Sequence, residues 1–188
     1  DSACASSLTA IDLACQYLHQ GQADTVISGG IEGNLGLETY IPFSHLGVLA
    51  KKNCFPFDKH TDGIFQGEGA ALFVLKRLED AVRDSLPILG VIENITASSN
   101  GSKASLFSPS FEKQKDIYQE MNQKLSHSPV HYIEGHGTGT PVGDSAELKA
   151  LAEIFQNQKA PIYLGSVKSL IGHTKGAAGA AGLLKCLL

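Results

Sequence analysis

Two stretches near opposite ends of the sequence decide its fold: ACASSLTAIDLAC (residues 3–15) and IGHTKGAAGAAGLLKC (residues 171–186). In each stretch, a segment with a reactive side chain leads into a helical pattern made mostly of small residues. Helices with few charges are usually buried against other parts of the protein. We therefore predict that these two helices form the centre of a layered, pseudo-symmetric α/β fold.

Between these stretches, strand patterns alternate with helix patterns. Strands are predicted in ADTVISGG, AALFVL, ILGVIENITASSNG, VHYIEG and APIYLG. Residues 39–69 show no clear periodicity, which is typical of a long functional loop. The segment DSAELKALAEIFQN predicts a helix with Asp144 or Ser145 near its N-cap. This alternation indicates an α/β chain with a largely parallel or mixed sheet.

The composition excludes several classes of partner. The chain has 188 residues, a formal net charge of -4 and no basic run, which argues against nucleic-acid or anionic-membrane binding. No apolar run approaches the ~20 residues of a membrane span. The sequence carries no signal peptide, so we expect a cytoplasmic, reducing location. It begins without methionine and ends within a helical pattern, which predicts a fragment of a longer polypeptide.

Cys4 is the first candidate for chemistry, because it stands at the start of a predicted helix between small residues. The unpaired N–H groups and the dipole of a helix N-terminus favour a thiolate. The same N–H groups can bind the oxyanion that forms when a thiolate attacks a carbonyl. The alternative is a buried, inert cysteine, which is the usual role of a cysteine outside a disulfide. We assign that role to Cys15, Cys54 and Cys186.

His136 and His173 are the second pair of candidates. Each follows a glycine just after a predicted strand, where backbone can approach a ligand closely. Ligands of α/β sheets bind beyond the carboxyl ends of the strands. The other five histidines lack this setting and are interpreted as surface or ordinary structural residues. A zinc site formed by Cys4, His136 and His173 is a competing interpretation, although no local pair of ligands supports it.

Four motifs, in this order, resemble the signatures of the β-ketoacyl synthases, or ketosynthases, of the thiolase-fold superfamily. They are DSACASSL, PFDKHTDGIFQGEGAALFVLKRLEDA, HGTGT and KSLIGHT followed by GAAGAAGL. The resemblance covers nearly the whole chain. It implies a partial thiolase-like fold, layered α-β-α-β-α, with two pseudo-symmetric halves in the intact domain. Residues 1–94 would be the C-terminal part of the first half, and residues 95–188 most of the second half.

The resemblance also implies roles for individual residues. Cys4 matches the acyl-accepting nucleophile, and His136 and His173 match the two catalytic histidines. Lys168 matches the active-site lysine, and Glu147 matches the acid that holds this lysine. Because the family uses two histidines, their implied task is to stabilise an enolate oxygen as well as to move protons.

The implied substrates arrive on a carrier. Three threonines match positions near the carrier arm, where their hydroxyls would bond the amides of phosphopantetheine: Thr138, Thr140 and Thr174. The resemblance implies that the domain itself binds no cofactor and no metal. Expected partners are an acyl carrier protein or carrier domain, an adjacent acyltransferase domain and a second copy in a homodimer.

The implied activity is decarboxylative Claisen condensation of a malonyl-type extender with an acyl group held on Cys4. HGTGT and IGHT are most similar to the motifs of multidomain polyketide or fatty-acid synthases. However, DSACASS differs from the DTACSSS common in modular polyketide synthases. The alternatives are a stand-alone 3-oxoacyl-carrier-protein synthase, a thiolase-like enzyme that uses coenzyme A thioesters, and a non-condensing carrier-binding domain.

Overall fold

The structure is a computed structural model that describes residues 1–99, 101, 109–125 and 129–188. His127, one of the five histidines set aside above, lies outside these residues. The chain divides into two compact units, and each is discontinuous in sequence. Unit 1 comprises Asp1–Asn34, Gly67–Glu93 and Thr174–Leu188, and unit 2 comprises the described residues of Leu35–Gln66 and Asn94–His173.

The described residues alternate between helices and strands. In chain order the elements are α1 Ser6–His19, β1 Val26–Glu32, α2 Leu37–His45, β2 Gly69–Leu75, α3 Leu78–Arg83, α4 Phe111–Lys124, β3 Tyr132–Glu134, α5 Pro141–Phe155, β4 Tyr163–Gly165, α6 Lys168–Ile171 and α7 Ala178–Leu187. Two 3-10 turns precede α1 and α7, and we name them the Cys4 turn (Ala3–Ala5) and the Lys175 turn (Lys175–Ala177).

Unit 1 is built on an antiparallel pair of strands. β1 pairs with β2 from Val26 opposite Leu75 to Glu32 opposite Gly69. Helices α1 and α7 contact this pair and each other. Because successive side chains of a strand point to opposite faces, the pair has two different faces. One carries buried Ser28 and Ala71, and the outer face carries four exposed aliphatic side chains: Ile27, Ile31, Leu72 and Val74.

The two small-residue helices of unit 1 begin in the same way. Ala3 and Lys175, the first residues of their turns, have φ angles of 49° and 45°. The last residues, Ala5 and Ala177, have φ/ψ angles of −90°/−3° and −88°/−1°. The repeated sequence pattern therefore corresponds to a repeated backbone conformation, as the pseudo-symmetric fold predicts.

Unit 2 contains a parallel pair of strands, β3 and β4, with Ile133 opposite Leu164. Helix α5 packs on α4. The predicted helix around Asp144 is present but begins earlier, because extended Thr140 is its N-cap and Pro141 occupies the first turn. Asp144 therefore lies in the first turn of α5, near the N-cap as predicted, although neither Asp144 nor Ser145 is the N-cap itself.

The stretch 39–69 is largely irregular, as its lack of periodicity predicts, although its first residues belong to α2, where Pro42 interrupts the helical sequence pattern. The prediction of a strand over residues 88–101 is wrong. The segment 88–101 contains no strand among its described residues. A strand needs a hydrogen-bonded neighbour, and the apolar side chains of Leu89 and Val91 remain exposed. Within the described part of the chain, no helix combines the length and hydropathy that crossing a membrane requires.

Candidate active site

The predicted site residues divide between the two units. Cys4 and Thr174 lie in unit 1, in or next to the two 3-10 turns. The others lie in unit 2: His136, His173, Lys168, Glu147, Thr138 and Thr140. All four cysteines belong to the described residues, and none of them forms a disulfide.

The Cys4 turn is held by side chains that are its immediate neighbours in sequence. The Asp1 carboxylate accepts a hydrogen bond from Ala3 N–H at 2.8 Å. Ser6 Oγ accepts one from Ser2 N–H at 2.9 Å and lies 2.7 Å from the carbonyl oxygen of Ala3. These bonds hold Ala3 at its positive φ angle. Cys4 itself is half-buried, and the 3-10 turn that contains it directly precedes α1, close to the predicted helix start.

A buried serine connects the starts of the two central helices. Ser7, in the first turn of α1, accepts a hydrogen bond from Ala180 N–H of α7 at 3.0 Å. Ser7 is only 2% exposed, so this bond is protected from competition with water. Thr174, which precedes the Lys175 turn, is also buried, and its hydroxyl has no hydrogen-bond partner among the described residues.

The two predicted catalytic histidines contact each other within unit 2. Their ring centroids are 5.6 Å apart, and the ring planes are perpendicular. His173 is buried, and its backbone N–H donates to the Phe65 carbonyl at 2.7 Å. Gly172 makes this approach possible, because it has φ of 75° and a Cβ there would lie 2.9 Å from the same carbonyl oxygen. The glycine before this histidine is therefore required by the geometry.

His136 belongs to a loop of residues 135–140, which we name the His136 loop. Glu147 of α5 holds this loop through both carboxylate oxygens. They accept hydrogen bonds from His136 N–H at 2.6 Å and from Gly137 N–H at 2.9 Å. Lys168 Nζ donates to the His136 carbonyl at 2.5 Å. Glu147 and Lys168 are each 4% exposed, so two buried charges fix the backbone on both sides of His136.

The electrostatic surroundings keep His136 neutral. Desolvation and the nearby Lys168 ammonium lower the pKa of its imidazole to about 4. Part of the His136 residue nevertheless remains exposed to solvent. At pH 7 the ring is therefore an uncharged imidazole, which has one N–H to donate and one nitrogen to accept a proton.

Two more side chains support the His136 loop, and neither was predicted from the sequence. Asp144, three residues before Glu147 on α5, accepts from Gly139 N–H at 3.1 Å and from Phe57 N–H at 2.7 Å. Tyr118 of α4 donates its hydroxyl to Glu147 at 3.3 Å. Burial and the Glu147 charge raise the pKa of Tyr118, so its phenol stays protonated. The three-residue spacing of the two acids on a helix was the available sequence signal for Asp144.

The threonines of the His136 loop are positioned by each other. The hydroxyls of Thr138 and Thr140 are 2.9 Å apart, and both residues are half-buried. As metal ligands, His136 and His173 would supply two nitrogen atoms. A catalytic zinc site normally takes three protein ligands, so the zinc interpretation depends on Cys4 as the third.

Solved structures define the fold class. The chain aligns over its full length with the ketosynthase from module 6 of the bacillaene synthase from Bacillus subtilis 168, with a TM-score of 0.88 and 38% identity. It also aligns over 99% of its length with a structure described as "PfaC Keto synthase-Chain length factor", with a TM-score of 0.91 and 38% identity. The chain covers 34% of the first of these chains and 20% of the second. The fold is therefore part of the thiolase-like ketosynthase fold, as predicted.

Sequence comparison gives the family. The profile "Beta-ketoacyl synthase, N-terminal domain" matches residues 1–81, and "Beta-ketoacyl synthase, C-terminal domain" matches residues 89–188. The chain belongs to the beta-ketoacyl synthase family. It is 42% identical to a mycocerosic acid synthase-like polyketide synthase of Mycobacterium tuberculosis and 38% identical to a probable polyketide synthase of Dictyostelium discoideum. All of the chain aligns, but it spans only 9% and 8% of these two relatives. The division into family halves at residue 94 stays a prediction.

Proposed function

We propose that this chain carries the catalytic residues of a ketosynthase domain in a polyketide synthase. The domain would catalyse decarboxylative Claisen condensation between an acyl group on Cys4 and a carrier-bound malonyl-type extender. The observation that carries this proposal is the contact between the rings of His136 and His173, with His136 held neutral. Two imidazoles that donate N–H bonds to one oxygen atom suit the stabilisation of an enolate.

In the first half-reaction, Cys4 thiolate attacks the carbonyl carbon of an acyl thioester. A new C–S bond forms, and the carrier thiolate leaves and takes up a proton. In the second, the malonyl group loses its carboxylate as carbon dioxide, and the electron pair of the broken C–C bond moves into an enolate. The enolate carbon then attacks acyl-Cys4, forming a C–C bond and releasing the Cys4 thiolate. The product is a β-ketoacyl thioester on the extender's carrier.

Lys168 and Glu147 would act through His136. Their contacts with the carbonyl and N–H groups around His136 support a positioning role for both residues. The Lys168 ammonium also opposes protonation of the His136 ring, which keeps the imidazole in the form that the enolate step uses. We further propose that the Glu147 carboxylate helps to position the Lys168 ammonium group.

Carrier binding is proposed from family membership and from the threonines. Thr138, Thr140 and Thr174 would bond the amides of a phosphopantetheine arm belonging to an acyl carrier protein or carrier domain. The domain itself is proposed to bind no cofactor. An adjacent acyltransferase domain, a homodimer and a cytoplasmic location remain parts of the same proposal.

Two other functions are alternatives to this proposal. A stand-alone 3-oxoacyl-carrier-protein synthase would use the same chemistry, but the similarity to polyketide synthases favours a multidomain parent. A non-condensing, carrier-binding domain would not need the nucleophile or the His136 ring. The presence of Cys4 and of the two contacting histidine rings argues against this second alternative.

The test is acyl loading of the full-length protein with Cys4→Ala and, as a matched control, Cys15→Ala. Burial and nearby Asp12 raise the pKa of the Cys15 thiol, which makes it a poor nucleophile. We expect an acyl adduct by mass spectrometry in the wild type and in the control, and none in Cys4→Ala. An unchanged adduct in Cys4→Ala would refute the assignment. Stoichiometric zinc in the purified wild type would instead favour the metal interpretation.

A further inference from the structure

The Cys4 turn and the Lys175 turn are packed together in unit 1. The Lys175 turn and the start of α1 are also close to β1 at Gly30. A Cβ atom on Gly30 would lie 2.9 Å from Ala177 Cα in the Lys175 turn and 2.9 Å from Ser7 Cβ at the start of α1. Because the interior of a protein is densely packed, a displacement of the Lys175 turn is transmitted to its neighbours. The position of Cys4 therefore depends on what fixes the Lys175 turn.

Lys175 is an unusual residue for its backbone conformation. Its φ angle is 45°, a region that glycine adopts readily and that residues with side chains rarely adopt. The equivalent residue of the Cys4 turn is alanine, which has the smallest side chain of any chiral residue. A long charged side chain at position 175 is thus unfavourable for the backbone. The contacts of this side chain must therefore compensate for the unfavourable φ angle.

Those contacts join the turn to the end of the β1–β2 pair. Lys175 Nζ lies 3.7 Å from the Glu32 carboxylate and 3.4 Å from the Gly67 carbonyl oxygen. Glu32 is the last residue of β1, and it is fixed in turn by a hydrogen bond from Asn34 N–H at 2.9 Å. Gly67 lies just before β2. One ammonium group therefore connects the Lys175 turn with both strands.

The burial of this ion pair points to a role in geometry. The Lys175 and Glu32 side chains are only 14% and 16% exposed. Because both charges are partly desolvated, much of their attraction is offset, and such a pair contributes little net stability. It does restrict the two groups to one arrangement. We therefore interpret the contact between Lys175 and Glu32 as one that fixes the position of the Lys175 turn beside the Cys4 turn.

We infer that Lys175 is a positioning residue for the nucleophile. Through Glu32 and the Gly67 carbonyl it fixes the Lys175 turn, and this turn sets the position of Cys4. The inference rests on the proposed function, because the reactivity of Cys4 matters only if Cys4 is acylated. Lys175 is not one of the residues to which a catalytic or positioning role is given above.

The experiment compares three variants in the full-length protein. Lys175→Gly removes the side chain and relieves the backbone, and Lys175→Gln keeps a donor for Gly67 without the charge. The exchange Glu32→Lys with Lys175→Glu restores an ion pair in reverse. For each variant, we would measure the acylation rate of Cys4 at saturating acyl donor, its alkylation by iodoacetamide and the midpoint of thermal unfolding.

We expect acylation by Lys175→Gly and Lys175→Gln to be about ten- to a hundredfold slower, because small misplacement of a reacting group costs rates of this order. Alkylation of Cys4 by iodoacetamide should be slowed in the same variants that acylate slowly. Lys175→Gly should unfold at an unchanged or higher temperature, because glycine suits the φ angle. The exchanged pair should recover most of the acylation rate.

The inference is overturned if both single variants acylate as fast as the wild type. It is also overturned if slower acylation parallels a lower unfolding temperature and the exchanged pair restores neither, because that is the signature of a merely structural residue. Alkylation needs no acyl substrate. If the wild type is never acylated but the alkylation rates follow the expected order, the proposed function fails and the positioning role stands.

Discussion

The Cys4 turn and the His136 loop are held in place in different ways. The Cys4 turn is fixed by Asp1 and Ser6, which are at most three residues from Cys4. The His136 loop is fixed by Glu147, Lys168 and Asp144, which belong to helices further along the chain. The turn of the proposed nucleophile is therefore shaped by hydrogen bonds from its sequence neighbours and packs on the Lys175 turn within unit 1, whereas the loop of the first histidine depends on the packing of unit 2.

This difference has a consequence for the two proposed half-reactions. If acylation depends on the local support of Cys4, damage to the His136 loop should leave acylation intact. If decarboxylation depends on the His136 loop, it should be sensitive to changes in buried carboxylates that touch no substrate. Substitutions in each region should therefore affect the two steps separately.

The strongest test is His136→Ala. We expect decarboxylation of a malonyl carrier to fall by about 10²- to 10³-fold, the usual cost of losing one preorganised donor to an oxyanion. Acyl loading of Cys4 should persist, because its thiolate is favoured by the helix N-terminus. The two steps are measured separately, by release of carbon dioxide and by intact mass. A variant that decarboxylates normally but cannot be acylated would reverse the assigned roles.

Glu147→Gln should sharpen the comparison. His136 N–H and Gly137 N–H bond different oxygens of the Glu147 carboxylate. A carboxamide replaces one of these oxygens by an NH₂ group, which is a donor and would face an N–H. A hydrogen bond to a buried charge is worth about 1.5–3 kcal/mol, and the displaced loop should slow decarboxylation by roughly ten- to a hundredfold. Thermal unfolding and carbon dioxide release are the measurements.

The matched control for this variant is Asp144→Asn. It makes the same chemical change one helical turn earlier, where the carboxylate bonds Gly139 and Phe57 instead of His136. We expect a similar loss of stability and a clearly smaller loss of decarboxylation. Equal losses in both variants would mean that the whole loop, and not the position of His136, limits the reaction.

Acid should destabilise the His136 loop specifically. The pKa of His136 is about 4 in the folded protein and about 6.5 in an unfolded chain. Between these values only the unfolded chain binds the proton, so the stability that is present above pH 6.5 is lost as the pH falls towards 4. His136→Asn should weaken this dependence. An imidazole resonance of His136 that titrates near pH 6.5 in the folded protein would contradict the prediction.

The smallest effect is expected for Ser6→Ala at the Cys4 turn. The change removes the acceptor for Ser2 N–H and the contact with the Ala3 carbonyl, each a neutral hydrogen bond worth about 0.5–1.5 kcal/mol. Acyl loading should fall less than tenfold, and decarboxylation should not change. The control is Thr9→Ala, which removes a hydroxyl that bonds the Ala5 carbonyl from further along α1. A decarboxylation defect in Ser6→Ala would break the separation.

The same contrast explains what the sequence could predict. A small-residue helix start near Cys4 and a strand end before His136 are local patterns, and the structure contains both. The prediction that His173 directly follows a strand is wrong, because the short helix α6 lies between β4 and this histidine. The supports of the His136 loop are not local. Tyr118 reaches Glu147 from α4, and no spacing in the sequence indicates that α4 packs on α5.

The failed predictions have the same origin. Residues 88–92 are apolar enough for a strand, but strand formation depends on a neighbour with which to exchange hydrogen bonds. The predicted helix starts at Asp144, whereas α5 begins at Pro141, because proline suits the first turn of a helix and extended Thr140 is the N-cap. In the first case the strand depends on a pairing partner that the local sequence does not show. In the second, the residues that cap the helix determine where it begins.

The outer face of the β1–β2 pair has a practical consequence for producing this protein. Its four aliphatic side chains, Ile27, Ile31, Leu72 and Val74, are between 59% and 72% exposed. A paired sheet with such a face binds other apolar surfaces readily. Expressed as residues 1–188 alone, the polypeptide should form oligomers or inclusion bodies. Polar substitutions at Ile27 and Val74 should then give a monodisperse product, which would show that this face is the cause.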